Sequence, residues 1–98
     1  MKAWEVLENI GWTQFAMAED ANGRSFVDVD SEHAVKFCAV GAIIRSYGPV
    51  RGRRVIQDLV EDLPLMRNGV RYAFMSGWND DRGRTKDEVV RFLKEHNV

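Results

Sequence analysis

Residues Ala34 to Tyr47 read AVKFCAVGAIIRSY, and only Lys36 and Arg45 among them carry charge. Neither Pro nor a turn pair interrupts the stretch, so it predicts a helix that other elements wrap on most of its circumference. Asp28, Asp30, Ser31 and Glu32 precede it. They supply acids and candidate N-caps, which places the helix start near Ser31 and the helix over roughly residues 32–47. Gly48-Pro49 ends it, because Gly tolerates a left-handed cap and Pro cannot continue the helix.

Working outward, Ala3, Trp4, Leu7 and Ile10 recur at spacings of three and four before Gly11, the pattern of a short amphipathic helix. Trp12 to Ala18, the turn-rich Glu19 to Gly23 and then Ser25-Phe26-Val27 predict a small β-hairpin over roughly residues 13–28, closing on Asn22-Gly23. Downstream, Val55, Ile56, Leu59, Val60 and Leu63 form one apolar face of a helix that Pro64 terminates. Val70 to Trp78 fits a helical face, although Val70, Tyr72 and Phe74 also alternate as in a strand; helix is the expectation. Thr85-Lys86-Asp87-Glu88 matches a capping box opening a last helix to about Glu95. The expected fold is mainly α, of the α+β class, with about five helices around the central one and a single hairpin.

The 98 residues fit one domain, 1–98, with enough chain to bury a core without metal or disulfide staples. A net charge of −1 gives no global attraction to nucleic acid or an anionic membrane. Cys38 is the only cysteine and its neighbours are apolar, so a buried thiol in a reducing compartment is expected. No run approaches the ~20 apolar residues that span a bilayer, and MKAWEVLENIG carries acids where a signal peptide would be apolar. Cytoplasmic residence without membrane attachment is the expectation.

The most distinctive polar pattern is Trp78-Asn79-Asp80-Asp81-Arg82-Gly83-Arg84-Thr85. Free N–H groups at the helix start beside Arg82 and Arg84 could hold a phosphate or carboxylate, with Trp78, Asn79, Asp80 and Thr85 completing the site. The competing role is structural: Asn79 or Asp80 turns the backbone and the arginines pair with nearby acids. Arg51, Arg53 and Arg54 form a local cationic patch that could contact phosphates or an acidic protein face. Cys38 lacks a histidine partner, since His33 and His96 are the only candidates and His33 is ill placed on a shared helix. No catalytic residue, cofactor or metal is expected, because one Cys and two scattered His do not make a zinc set.

Gly11-Trp12-Thr13-Gln14, Asp20 and Gly23, Ala34 with Phe37-Cys38-Ala39 and Gly41-Ala42, then Trp78-Asn79-Asp80, Gly83-Arg84-Thr85 and Glu88-Val89 occur in that order. In this GWxQ, FCAxGA and WND…GRTxxEV pattern the chain resembles a family of small domains of unknown function from bacteria and their phages. It departs from the pattern at Phe15, where such sequences often have Gly, and at Phe37, often Trp. The resemblance implies a domain and a bacterial or phage origin, and carries over no catalytic residue.

The leading functional expectation is a non-enzymatic interaction or regulatory protein, of the phage accessory or counter-defence kind, that binds a host protein or another copy of itself. A small-molecule or nucleotide binder using the Trp78–Thr85 loop is the first alternative. Nucleic-acid binding through Arg51, Arg53 and Arg54 is the second.

Overall fold

In the computed structural model, which describes residues 1–98, the central apolar stretch divides at Cys38. In chain order the elements are α1 (Ala3–Asn9), β1 (Ala18–Glu19), β2 (Lys36–Phe37), α2 (Ala39–Tyr47), α3 (Pro49–Val60), α4 (Met75–Asn79) and α5 (Lys86–Glu95). The protein is therefore mainly helical with one small antiparallel pair, an α+β fold of five helices.

The central helix begins at Ala39, not near residue 32. Ser31 competes with helix formation by closing a local turn: its hydroxyl accepts from the His33 N–H at 3.1 Å, and its own N–H donates to Asp28 C=O at 3.0 Å. Lys36 and Phe37 are then drawn into a strand, and Cys38 becomes the N-cap, its Sγ accepting from Gly41 N–H at 3.3 Å. Gly48 at φ 83° ends α2, and Pro49 opens α3.

The antiparallel pair also differs from the expected range of 13–28. Asn22-Gly23 does turn, with Asp20 Oδ1 accepting from the Asn22 and Arg24 N–H groups at 2.9 Å each. The chain after it makes no strand. Arg45 instead holds this segment down by donating to Val29 C=O at 2.5 Å, and β1 pairs with β2 in the register Ala18 to Phe37 and Glu19 to Lys36. Phe37 is bonded on its other edge too, donating to Gly11 C=O and accepting from Thr13 N–H, both at 3.0 Å. Between residues 70 and 78 only the end is helical: Met66 to Gly69 turns, Val70 to Phe74 carries no regular element, and α4 starts at Met75.

One apolar cluster contains side chains from all five helices, with Leu7, Phe37, Ile43, Met75, Trp78, Val89 and Leu93 its largest fully buried members. Each such side chain contributes about 1.5–3 kcal/mol relative to exposure. Two glycines let backbones meet inside this cluster. At Gly41 the Met17 carbonyl occupies the space a Cβ would need, and at Gly52 a Cβ would lie 3.1 Å from Ile44 Cα, which brings α3 down onto α2. At α5 the Thr85 hydroxyl accepts from Glu88 N–H at 3.2 Å while Glu88 accepts from Thr85 N–H at 2.9 Å, the reciprocal box expected there. No helix is long and apolar enough to cross a membrane.

Candidate functional site

The short helix α4 delivers Asn79 into the interior, where it is 0% exposed. Its Oδ1 accepts from Trp12 Nε1 at 2.8 Å and from Ala39 N–H, the first residue of α2, at 3.0 Å. Its Nδ2 donates to Thr13 C=O at 3.1 Å and to Asp80 Oδ1 at 2.9 Å. All four hydrogen-bonding positions of the amide are thereby used. Gln14 extends the latch by donating to the carbonyls of Asn79 and Asp81 at 3.1 and 3.0 Å, and Asp80 Oδ1 also accepts from Phe15 N–H at 2.8 Å. Phe15 sits at φ 69°, a left-handed backbone that favours glycine.

Arg84 is engaged almost as fully. It donates to Trp78 C=O at 2.9 Å, to Tyr72 Oη at 3.2 Å and to Glu88 Oε2 at 3.3 Å, and its guanidinium lies 4.9 Å from the Trp78 ring centroid. The Trp78 ring is 1% exposed and packs on Phe92 as well, so no base can stack on it. Tyr72 donates its hydroxyl to Asp81, which holds the Asp81 carboxyl below and the Tyr72 phenol above their ordinary values. The Thr85 N–H, by donating to Glu88, does most to lower the Glu88 carboxyl.

Of the polar loop, then, Asn79, Asp80, Arg84 and Thr85 are bonded within the chain, and Arg82 is exposed without a side-chain hydrogen bond or ion pair. Arg82 lines an open cleft of about 730 Å³ with Tyr72, Arg84, Asp81 and Glu88, and the turn after Pro64 adds Arg67. Arg67 was not legible as a site residue, because only the fold brings residues 65–68 against the 81–84 loop.

The cationic patch is split by the geometry of α3. Arg51 and Arg54 share one side with Tyr47 and Asp58, and Arg51 lies 5.4 Å from the Tyr47 ring centroid. Arg53 is on another side, in a depression with Met17, Phe26, Ile44 and Asp28. Cys38 is buried, and that burial pushes its thiol up. No group of three or more His, Cys, Asp or Glu side chains could hold a metal ion.

A surface the sequence did not single out lies along α2 and α3. Phe26 and Phe74 stand 81% and 71% exposed. Phe74 edges an apolar depression of about 510 Å³ formed with Val40, Ile56, Val60 and Met75. The spacing of these residues reads equally as core, so only the unfilled space beside them reveals the surface.

No curated protein and no solved structure matches this chain. Residues 1–96 match the model of a family of unknown function, DUF6197, and the chain belongs to that family.

Proposed function

We infer that this is a non-enzymatic interaction protein, bacterial or phage in origin and cytoplasmic, that acts by covering a surface of another protein. The observation that carries the reading is a contrast. The polar residues of the Trp78–Thr85 segment are largely consumed in holding the fold, whereas Phe26 and Phe74 are left in solvent beside apolar depressions. Exposed aromatic side chains around an apolar concavity mark docking surfaces more often than ordinary surface. A photo-crosslinking residue placed at position 74 is expected to give a discrete protein adduct in bacterial lysate, competed away by excess unmodified chain. The same residue at position 91 on α5 is expected to give none. Equal labelling from both positions, or from neither, would remove the reading.

The cleft at Arg82 supports a second reading, a small anionic ligand held by Arg82 and Arg67, the two guanidinium groups there without a bonded acid. Asp81 and Glu88 line the same cleft and oppose a multiply charged anion. Phosphate or mononucleotides at high excess should raise the melting temperature if this site is used, and an unchanged value argues against it. Binding of nucleic acid through Arg51, Arg53 and Arg54 is the third reading; it predicts salt-sensitive affinity lost on alanine substitution of all three.

A further inference from the structure

Both depressions are lined by residues of α2 and α3. Ile44 lines the first and Val40 the second, and these are one helical turn apart on α2. On α3, Arg53 lines the first, while Ile56 and Val60 line the second at the following turns. Phe26 lines the first and Phe74 the second, both exposed. The floor is made of residues at i, i+4 spacing on two adjacent helices, a surface that accepts the ridges of a third helix. Strands β1 and β2 are two residues each and line neither depression, so an extended peptide finds no strand edge here to extend.

The charge on the groove is one-sided. Asp28 and Asp30 border the first depression and Glu61 the second, against the single cation Arg53. None of the three acids takes part in an ion pair within the chain. Two copies of this face set against each other would oppose three carboxylates to three, and a nucleic acid or anionic bilayer would be repelled. Resting on the reading of the chain as an interaction protein, we propose that the α2–α3 groove receives an amphipathic helix of a partner protein. That helix carries aliphatic anchors at i, i+4 and i+7 and Lys or Arg on its flanks.

The test uses the full chain, labelled with nitrogen-15, and two synthetic helical peptides with identical leucines, one with lysine flanks and one with glutamate flanks. The lysine peptide is expected to shift the amides of Val40, Ile44, Ile56 and Val60, and the glutamate peptide to bind at least about tenfold more weakly. Phe74→Ser, an exposed site, should weaken the lysine peptide at least about fivefold and leave the rest of the spectrum in place. If both peptides bind this groove equally, the docking face stands and the basic partner falls. If the lysine peptide shifts no amide of the groove, the groove falls as a docking face, and the interaction reading survives only through the crosslinking result. A mass in solution twice that of the chain, halved by Phe74→Ser, would put a second copy in the groove and overturn the proposal.

Discussion

The indole N–H of Trp12 donates to Asn79 Oδ1 at 2.8 Å across 67 positions of sequence, and the same oxygen accepts the first amide of α2. Removing that acceptor strands two donors, one of them, the Ala39 amide, fully buried. Each such loss costs about 1–3 kcal/mol. Asn79→Ala is therefore expected to destabilise by about 3 kcal/mol or more in urea unfolding. Asn79→Asp should also destabilise, since it replaces two donations by a carboxylate facing Asp80 and the Thr13 carbonyl. A loss below about 1 kcal/mol for Asn79→Ala would mean the latch is incidental.

Two helical glycines should respond to alanine with opposite sign. Helix propensity alone favours alanine at both by about 1 kcal/mol. At Gly77 of α4 nothing lies within 4 Å of an added Cβ, so Gly77→Ala should raise stability by roughly that amount. At Gly41 the Met17 carbonyl is in the way. Gly41→Ala should lower stability by about 2 kcal/mol or more, as overpacking against backbone does. Thermal melts of the two variants decide it, and a stabilised Gly41→Ala would show that the α2 contact is loose.

Phe15 holds φ 69° and is 78% exposed, so replacing it sacrifices little packing. The left-handed conformation costs a non-glycine residue about 1–2 kcal/mol, and glycine returns about 0.5–1 kcal/mol of that through its freer unfolded chain. Phe15→Gly is expected to gain about 0.5 kcal/mol, a melting rise of about 3 °C. Phe15→Ala keeps a Cβ and should show no such rise; equal melting temperatures for the two variants would rule out backbone strain as the cause.

Acid should weaken the fold through Glu88 and Asp81. Both carboxyls sit below their ordinary values of 4.5 and 3.8, Glu88 because Thr85 N–H donates to it and Asp81 because Tyr72 does. A depressed folded-state value means the contribution is full above the ordinary value and is lost as pH falls through the folded one. The urea midpoint should accordingly drop as pH is lowered below that range. In Glu88→Gln the drop should be shallower; an identical pH profile would assign the acid sensitivity elsewhere.

The sequence makes the helices legible where local chemistry decides them. Thr85 and Glu88 cap each other across three residues, and Gly48-Pro49 separates α2 from α3 through backbone geometry alone. It fails at Ser31 to Phe37, where apolar spacing suggests helix but Phe37 is claimed on both edges by strand partners far away in the chain. The Trp78–Thr85 pattern is visible as a polar loop, yet its bonds lead to Trp12, Gln14 and Ala39, which no local rule connects to it. Phe26 and Phe74 look like any other apolar residues until the packing leaves them outside.

The distance between Asn79 and its partners also constrains how the chain reaches its native state. Bonds joining residues 40 and 67 positions apart require large loops to close before packing rewards them, which slows folding relative to helical bundles built from local contacts. During synthesis from the N-terminus, Trp12, Thr13 and the opening turn of α2 emerge well before residue 79 exists. Until then the Ala39 amide and the Trp12 indole lack the acceptor they share in the native structure, so this latch closes only after residue 79 has been made.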